Sequence, residues 1–562
     1  MIEQIQRRAK TDPSLPGKIS GGKLAIALFS GIAMGLTAAP VGAWFLAWVA
    51  LAPLWQLILA DAFVKETSLK HGPRPWWQQL PWRPITYCLV WGLGYCGLAM
   101  VWIRDLHPLT WMGIPWLTSV AIAFFCWSFL AGLGAMRIAI WGGLFALAIR
   151  ALRPSSLPPA SPMIPWLPLV RVLIGAALWC GGEALWSGSI LYWLSLAFTQ
   201  SPQNLWILHL GQLSGPMAVT AAIAAVNGLL AEAWLHRPGA APQPRDRGMG
   251  RRCLAIALLL LVGSHLVGAI RYYRPLTSSA DATLHIGIIQ GNVPTRIKLY
   301  EEGLRLAFTN YTTAYHALVD QQVDAVLTPE GAMPIVWGEP NVSRNPLYQA
   351  IRDRGVPAWV GTFYPQNGHI TQSLLTITGD GEVLSHYDKV KLVPLGEYIP
   401  YQALLGGLIR RLSPVDATMV PGDRQQQVLT PFGQAIVGIC YDSAFPWLFR
   451  TQAAGGGEFI LTASNNDPYN RAMMAQHHAQ DVMRAIETDR WAVRATNTGY
   501  SGVVNPRGQT VWRSPARTAV HYAATIARRQ TQTPYVRWGD WLTPLLLVAA
   551  ILAGIGSRLT RG

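Results

Sequence analysis

The sequence is dominated by runs of mostly apolar residues that are about as long as a membrane-spanning helix. The runs cover residues 23–39, 42–60, 85–103, 116–136, 172–190, 206–235, 253–271 and 541–557. A helix needs about 20 such residues to cross a bilayer. Only 13% of the residues are charged, whereas a soluble globular chain is about 25% charged. We therefore predict a multi-pass α-helical membrane bundle of about eight spans. The stretch 138–149 is too short to span alone, and either extends the fourth span or lies in the interface.

Basic residues are concentrated in every second connection between these runs. The connections rich in Lys and Arg are the N-terminal tail, 61–84, 150–171, 236–252 and the tail after 557. Of the connections between them, 104–115 contains one Arg, and 191–205 contains no Lys or Arg. The positive-inside rule assigns the basic connections to the cytoplasm, so the long polar region 272–540 is predicted to be extracytoplasmic. The same clustering accounts for the net charge of +16 without nucleic-acid binding.

Region 272–540 has a different pattern, in which short apolar runs alternate with polar, helix-like stretches. Strands are predicted at 284–290, 323–328, 357–363, 373–378, 434–440 and 458–463, and helices at 299–320, 344–354 and 471–490. Turn residues predict hairpins over 373–387 and 500–512, and 238–250 is typical of a disordered linker. Strands alternating with helices indicate an α/β domain. The predicted organisation is a membrane domain of seven spans at 1–271, the α/β domain at 272–540, and a last span with a cytoplasmic tail at 541–562.

Three chemically distinctive side chains stand out in the α/β domain. Glu330 follows the strand 323–328, Lys389 is one of only three lysines in the domain, and Cys440 ends the strand 434–440. Taken alone, each has a simpler explanation: a solvent-exposed carboxylate, a surface charge and a buried structural cysteine. The other five cysteines lie in or beside apolar runs, so no disulfide framework is expected.

Considered together, these three residues make a reactive set. A thiol needs a base to accept its proton, a role that suits Glu330, and a cation to stabilise the thiolate and an oxyanion, a role that suits Lys389. The strand-to-helix turn predicted at Cys440 resembles a nucleophile elbow. Histidine is an alternative base, and His477 and His478 in a helix-like run remain open in that role. No metal and no cofactor are predicted.

The order Glu330, Lys389, Cys440, with Tyr-x-Lys and Cys-Tyr-Asp contexts, resembles the nitrilase (carbon–nitrogen hydrolase) superfamily. Eight apparent spans with such a domain inserted before the last one resemble one family within it, the bacterial apolipoprotein N-acyltransferases. Further similarities to that family lie at 290–294 (QGNVP), 392–400 (LVPLGEYIP), 484–487 (RAIE), 496–499 (TNTG) and 533–535 (TPY).

The resemblance implies a fold, a reaction and partners. The fold is an α-β-β-α sandwich on the periplasmic side of a bacterial inner membrane. In the reaction, Cys440 takes an acyl chain from a phospholipid as a thioester, and the N-terminal amine of a diacylglyceryl-cysteine on an apolipoprotein accepts it. Glu330 would be the base, Lys389 and the backbone at Cys440 would hold the oxyanion, Glu397 would be a second carboxylate beside them, and Tyr441 would be an aromatic neighbour. A monomer is also implied.

The sequence departs from the family pattern in three places. Asp442 stands where the family usually has glutamate, residues 464–469 (SNNDPY) lack a family tryptophan, and Leu299 occupies the place of another. These changes leave the three reactive residues intact and bear on lipid selectivity. Two alternative functions are a membrane-tethered amidase or nitrilase that uses water as acceptor, and a non-catalytic partner protein.

Polar and aromatic residues in or near the predicted spans have two possible roles. Glu183 lies inside the fifth span, and intramembrane carboxylates are costly and often functional. A helix–helix hydrogen bond is the alternative explanation for Glu183. Trp102, Trp111 and Trp116 surround the connection 104–115 and are predicted to be anchors at the membrane interface.

Overall fold

The computed structural model describes residues 19–62, 80–152, 166–237, 247–276, 282–399 and 419–559. The N-terminal tail, most of the basic connections and the last residues of the chain lie outside these ranges. The predicted orientation of the chain across a membrane therefore stays a prediction.

Helices make up the N-terminal part of the chain and recur in the C-terminal part. The α-helices of the first part are α1 (Gly21–Gly35), α2 (Ala52–Ala62), α3 (Trp82–Ala99), α4 (Trp116–Ala151), α5 (Leu167–Trp186), α6 (Leu205–Leu208), α7 (Gly211–Ser214), α8 (Pro216–Leu235) and α9 (Arg247–Tyr272). Those of the second part are α10 (Glu301–Val319), α11 (Pro346–Arg354), α12 (Pro446–Ala454), α13 (Arg471–Thr488), α14 (Pro534–Trp538) and α15 (Leu542–Leu559). Short 3-10 helices lie at Trp44–Trp48, Val101–Leu106, Thr110–Met112, Ala197–Gln200 and Cys440–Ala444.

Five helical stretches in the described ranges are long and apolar enough to cross a membrane. They are Trp44–Ala62, Trp116–Ala151, Leu167–Trp186, Pro216–Leu235 and Gly248–Tyr272. Two further apolar helices, at Gly21–Gly35 and Leu542–Gly556, are shorter. The multi-pass helical bundle is thus confirmed, whereas the number of eight spans stays a prediction. Helix α4 continues without a break through 138–149, so that stretch extends the fourth span.

Two predicted boundaries in this part were wrong. The predicted span 206–235 is helical as one piece only from Pro216, because Gly215 takes a left-handed conformation (φ 67°) and separates α7 from α8. The predicted span 42–60 corresponds to the apolar stretch Trp44–Ala62, which begins as a 3-10 turn and continues as α2. The predicted linker 238–250 is too long, since α9 begins at Arg247.

Buried polar side chains join the helices of the bundle. Asn227 on α8 accepts hydrogen bonds from the backbone N–H groups of Leu51 (3.0 Å) and Ala52 (2.9 Å), and its amide donates to the carbonyl of Ala47 (2.9 Å). These bonds satisfy backbone groups at the break before α2, which explains why the chain can leave the helical path there. Arg171 on α5 forms a buried, bidentate pair with Glu232 on α8, at 2.7 and 2.8 Å.

The C-terminal part contains two six-stranded sheets. The strands are β1 (Thr283–Gln290), β2 (Ala325–Leu327), β3 (Ala358–Gln366), β4 (His369–Ile377), β5 (Val383–Asp388), β6 (Val428–Thr430), β7 (Gly433–Ile439), β8 (Phe459–Ser464), β9 (Ala492–Thr496), β10 (Gly502–Val504), β11 (Thr510–Arg513) and β12 (Val520–Ala527). Their orders are β12-β1-β2-β3-β4-β5 and β11-β10-β9-β8-β7-β6. In each sheet the three consecutive strands β1-β2-β3 or β7-β8-β9 are parallel, and the flanking strands are antiparallel.

The two sheets face each other across an apolar core, and helices cover their outer faces. Trp359 on β3 packs against Phe459 on β8, with ring centroids 6.0 Å apart. Helices α10 and α11 lie on the outer side of the first sheet, and α12 and α13 lie on the second. The arrangement is the predicted α-β-β-α sandwich. Parallel strands covered on both sides are mostly apolar, which is why most of them were recognisable in the sequence as short apolar runs.

All six predicted strands are present, and both predicted hairpins form, as β4–β5 and β10–β11. The three predicted helices of this domain correspond to α10, α11 and α13. The sequence analysis missed β6, β9 and β12. Strand β12 pairs with β1 along its whole length, from Thr283 opposite Ala527 to Gln290 opposite Val520.

Candidate active site

Glu330 lies in the loop that follows β2, at the end of the first sheet. Gly361 on β3 makes room for this loop, because a side chain there would meet the carbonyl oxygen of Pro329 at 2.1 Å. The Glu330 side chain is buried. Its Oε1 accepts a hydrogen bond from Lys389 Nζ (2.8 Å), and its Oε2 accepts one from the backbone N–H of Asn465 (2.8 Å).

Lys389 directly follows β5 and is 1% exposed. Its ammonium group donates both to Glu330 (2.8 Å) and to Oε1 of Glu397 (2.6 Å). Burial alone would lower the pKa of Lys389, but the charges of Glu330, Glu397 and Cys440 raise it well above its usual value. Lys389 is therefore a fixed cation shared between two carboxylates.

Glu397 belongs to the loop after Lys389 and is held at both oxygens. Its Oε2 accepts a hydrogen bond from the backbone N–H of Val393 at 2.8 Å. Burial and the charge of Glu330 raise the pKa of Glu397, while Lys389 opposes that shift. One ammonium group between the buried Glu330 and the half-buried Glu397 leaves this cluster of side chains rich in negative charge.

Cys440 comes immediately after β7 and has a left-handed backbone conformation, with φ 50°. Few residues other than glycine adopt this conformation, and such strain is found at nucleophile turns. A 3-10 turn and then α12 follow, as expected for the predicted nucleophile elbow.

The Cys440 thiol is buried among charged groups. Burial, with the charges of Glu330 and Glu397, raises the pKa of Cys440 to about 12, against the opposing effect of Lys389. The thiol is thus protonated at neutral pH, and its reaction as a nucleophile requires a base.

Asp442 holds the elbow in position. Its carboxylate accepts hydrogen bonds from the backbone N–H groups of Ile439 (3.0 Å) and Lys391 (2.8 Å) and from the Tyr387 hydroxyl (3.1 Å). Burial raises the pKa of Asp442 to about 6. The shorter acid found here in place of glutamate therefore ties the loop that carries Lys389 to the turn that carries Cys440.

Tyr441 connects the elbow to the helical bundle. Its hydroxyl donates to the carbonyl oxygens of Ile190 (3.0 Å) and Tyr192 (2.9 Å), in the segment between α5 and the turn at Ala197–Gln200. Its ring stacks on Trp193 with centroids 6.1 Å apart. The residue beside the candidate nucleophile is therefore anchored to the membrane part.

Both candidate histidine bases are engaged elsewhere. His477 Nε2 donates to the carbonyl oxygen of Cys440 (2.7 Å), and its Nδ1 accepts from the Asn466 amide (3.1 Å). Burial lowers the pKa of His477 to about 3, so the ring is neutral. His478 hydrogen-bonds Thr510 through its Nε2 (2.8 Å). Geometry thus favours Glu330 over either histidine as the base.

Two residues of this site were missed in the sequence analysis. Lys298 is buried, and its Nζ donates to the carbonyl oxygen of Glu330 at 2.9 Å. Burial lowers the pKa of Lys298 to about 8. Asn465 contributes the backbone N–H that binds Glu330. The scarcity of lysine in this domain was a usable signal for Lys298, whereas a backbone donor leaves no signal in the sequence.

Gln476 on α13 bonds to four residues of the bundle and joins it to the domain that carries the candidate site. Its Oε1 accepts from the indole N–H groups of Trp102 (3.1 Å) and Trp193 (2.7 Å). Its amide donates to the carbonyl oxygens of Ala39 (3.2 Å) and Ala99 (2.8 Å). All four bonding positions of the Gln476 amide are used.

The prediction of a membrane-interface anchor is wrong for Trp102, which is 7% exposed. It packs edge-on against Tyr469, at 5.4 Å between centroids, in the loop where the family tryptophan is lacking. A buried indole with a protein acceptor has no free N–H for the interface. Trp111 and Trp116 are exposed, and their position at a membrane interface stays a prediction.

Glu183 is fully buried in the bundle. Its carboxylate accepts hydrogen bonds from Trp179 Nε1 (3.1 Å), Thr220 Oγ1 (3.1 Å), Ser195 Oγ and the backbone of Leu196. Thr220 is on α8, so Glu183 bridges helices. These contacts agree with the alternative role given to Glu183, a hydrogen bond between helices.

Comparisons with known proteins cover both parts of the chain. The family described as "Apolipoprotein N-acyltransferase N-terminal domain" matches residues 30–229, and "Carbon-nitrogen hydrolase" matches residues 308–534. A protein named apolipoprotein N-acyltransferase from Nostoc sp. is 52% identical over 92% of this chain and 96% of its own length. One of the same name from Synechocystis sp. is 44% identical over 92% of this chain and 98% of its own length.

Among solved structures, yeast Nit3, a member of branch 10 of the nitrilase superfamily, is similar to the C-terminal part. It is 20% identical, with a TM-score of 0.35, over 45% of this chain and 93% of its own. An amidase from Nesterenkonia sp. is also 20% identical, with a TM-score of 0.34, over 48% of this chain and 98% of its own.

Proposed function

The chain belongs to the apolipoprotein N-acyltransferase family, a family of acyltransferase enzymes, and from this premise we propose how it acts. We propose that it transfers an acyl chain from a phospholipid, through a thioester on Cys440, to the N-terminal amine of the diacylglyceryl-cysteine of an apolipoprotein. Lipid and lipoprotein are its partners. The domain between 272 and 540 is proposed to be the catalytic unit and to face the periplasm.

In the first half of the proposed reaction, Glu330 takes the proton from the Cys440 thiol as the sulfur attacks the ester carbonyl carbon of the phospholipid. The carbonyl oxygen becomes an oxyanion, which Lys389 and the backbone N–H groups at Cys440 stabilise. When the carbon–oxygen ester bond breaks, Glu330 returns the proton to the leaving alkoxide. The products are a lysophospholipid and the acyl-enzyme.

In the second half, the amine of the apolipoprotein attacks the thioester carbon. Glu330 accepts a proton from the attacking nitrogen, and the carbon–sulfur bond breaks as the amide forms. The proton then passes to the Cys440 thiolate, which restores the resting enzyme. In this proposal the same base serves both halves of the reaction.

The raised pKa of Cys440 supports Glu330 as an obligatory base. A thiol with a pKa of about 12 forms very little thiolate at neutral pH by itself. Removal of its proton during attack avoids a free thiolate beside two carboxylates. Glu397 supports this role by sharing Lys389, so that the ammonium stays within hydrogen-bond distance of Glu330.

The observation that carries the proposal is the anchoring of Tyr441 to the bundle. A hydrolase that takes its substrate from water has no use for a nucleophile elbow bonded to the membrane part. An enzyme with two lipid substrates benefits from such an elbow, because both substrates must reach the nucleophile from a bilayer. This favours acyl transfer over the membrane-tethered amidase.

The test is acyl transfer by the purified protein, given a phospholipid labelled in its acyl chains and a diacylated lipopeptide. We expect a labelled, triacylated peptide, and in the absence of peptide a label on Cys440 that hydroxylamine releases. Cys440→Ala should lose both, while the matched variant Cys126→Ala should keep both. Transfer by Cys440→Ala would contradict the mechanism, and release of free fatty acid alone would favour the hydrolase.

A further inference from the structure

A groove runs along the outside of the bundle between α4, α5 and α15. It consists of two adjoining cavities of about 740 and 370 Å³, which share Leu144, Leu178 and Leu547 in their walls. The larger cavity reaches Thr543, in the first turn of α15 after the catalytic domain. The smaller one ends near Ala151 and Ile555. We call the whole depression the α15 groove.

The length and lining of the α15 groove fit a lipid chain. From Arg137 to Ala151, α4 rises about 20 Å, and one leaflet of the hydrocarbon core is about 15 Å thick. Side chains of Met136, Ile140 and Leu185 around the larger cavity are more than half exposed. Exposed apolar side chains on membrane helices face lipid, so the groove opens sideways into the bilayer.

Arg137 supplies a positive charge at one end of this apolar groove. No hydrogen bond joins its guanidinium to any residue in the described parts of the chain, and its buried Nε lacks an acceptor there. The nearest carboxylate in those parts, Glu183, is 3.9 Å away. A guanidinium has five N–H donors, and in lipid each donor left without an acceptor is costly.

Glu183 does not meet this need, because its oxygens already accept from Trp179, Ser195, Thr220 and the Leu196 backbone. Arg137 also lies 5.8 Å from the ring of Trp179, a weak contact for a cation. The guanidinium thus faces the groove with most of its donors available to a ligand.

Thr543 gives a second, independent indication at the same end. It is 4% exposed, it lines the larger cavity, and its hydroxyl has no hydrogen-bond partner among the residues that the structure describes. Trp186 in the groove wall and Trp541 just before α15 lie at this end. Tryptophans prefer the headgroup level of a membrane, so the polar end of the groove is where a headgroup would lie.

We propose that the α15 groove binds a membrane lipid with an anionic headgroup. Arg137 and Thr543 would contact the phosphate oxygens, and one acyl chain would lie along Leu144, Leu547 and Ile551. Glu330, Lys389 and Cys440 do not line the groove, so this site is separate from the one proposed for the acyl donor. The bound lipid would fill the space between α15 and the helices beside it.

Gly182 provides a way to block the groove without disturbing the packing. It lines the larger cavity, and a Cβ added there would meet no atom within 4 Å. Gly182→Leu should therefore place its side chain in the space of the lipid. Gly263 on α9 is the matched control, because a Cβ there also meets no atom within 4 Å and Gly263 is not part of the groove.

The experiment uses the full-length protein in phosphatidylcholine nanodiscs. Phosphatidylglycerol with a diazirine near the end of one acyl chain is added, and diacylglycerol with the same chain is the neutral probe. After illumination, labelled peptides are mapped by mass spectrometry. We expect α4 and α15 peptides to be labelled at least 5-fold more by phosphatidylglycerol than by diacylglycerol.

The variants separate the headgroup contact from the chain contact. Arg137→Gln should abolish the preference for the anionic probe, Arg137→Lys should keep most of it, and Gly182→Leu should reduce labelling of both peptides at least 5-fold. Gly263→Leu should match the unaltered protein. Equal labelling by the two probes, or a preference that survives Arg137→Gln, would overturn the proposal, since Arg137 would then be satisfied by water. Unchanged labelling in Gly182→Leu would overturn it as well.

Discussion

Glu183 in the bundle and Glu330 in the catalytic domain are both buried carboxylates, yet their surroundings differ in kind. Glu183 accepts hydrogen bonds from four neutral donors in three segments, and the Arg137 guanidinium lies 3.9 Å away without a hydrogen bond to it. Glu330 depends on an ammonium group that it shares with Glu397, beside a thiol. A carboxylate whose acceptor positions are filled by neutral groups holds structure together. One that shares a single cation beside a thiol is positioned to act on that thiol.

The largest expected effect is on the reactive side of this comparison. Glu330→Gln removes the base but keeps an acceptor for Lys389, so acyl transfer by the folded enzyme should fall roughly 10³-fold. Initial rates with saturating lipopeptide measure the effect. The matched control Glu339→Gln, at an exposed carboxylate of the same domain, should keep full activity. If the rate of acyl transfer by Glu330→Gln stayed within 10-fold of the normal rate, Glu330 would not be the base and would not differ in kind from Glu183.

The next effect concerns buried charge in the bundle, where we expect loss of stability rather than of chemistry. Arg171→Met leaves Glu232 buried without its bidentate partner and should lower the free energy of unfolding by about 3 kcal/mol. Denaturant unfolding in detergent, with activity measured on the folded fraction, checks this. Adding Glu232→Leu should recover part of the stability. If the folded fraction of Arg171→Met turned over substrate much more slowly than the unaltered protein, the charged pair in the bundle would also contribute to catalysis.

A smaller effect is expected where the two regions meet. Tyr441→Phe keeps the ring stacked on Trp193 but loses the bonds to Ile190 and Tyr192, so we expect about a 5-fold loss in kcat/KM, the value of one hydrogen bond. The loss should be similar for long and short acyl donors if the bond positions the elbow. A loss confined to long-chain donors would instead place Tyr441 against the lipid.

The smallest effect is on the pH dependence of stability. The pKa of His477 is about 3 in the folded protein and about 6.5 when unfolded. Between these values only the unfolded chain binds the proton, so His477 lowers stability as the pH falls below about 6.5. His477→Gln, which can still donate to the Cys440 carbonyl, should lose less unfolding temperature between pH 7 and pH 5 than the unaltered protein. Equal losses would show that His477 is not the group responsible.

The sequence predicted best the features that leave a local pattern. Long apolar runs indicated the bundle, and the buried parallel strands β1, β7 and β8 were visible as short apolar runs. Strand β9 was missed because Arg494 interrupts it. In the structure this arginine is buried and paired with Asp481 on α13. A charge neutralised by a distant residue cannot be told from a surface charge in the sequence.

The candidate site shows the same limit. Glu330, Lys389 and Cys440 are rare residues at strand ends, so chemistry and position together singled them out, and the structure brings them together. Trp102 was misassigned because its acceptor, Gln476, is 374 residues away along the chain. The break before α8 was missed since apolar residues continue through it, and only Gly215 and Pro216 mark it.

The pairing of β1 with β12 has a consequence for how such a protein can be altered. Thr283 lies opposite Ala527, so the chain enters and leaves the catalytic domain side by side. Helix α9 precedes the domain in the chain and α15 comes after it, and both helices pack on α8. A domain with adjacent ends can be exchanged as a cassette between two helices, provided that the new domain keeps the bonds that Tyr441 and Gln476 make to the bundle. Recombination between genes, in nature or in the laboratory, therefore has a ready site here, at which a new acyl-transfer specificity can be fitted to an existing membrane scaffold.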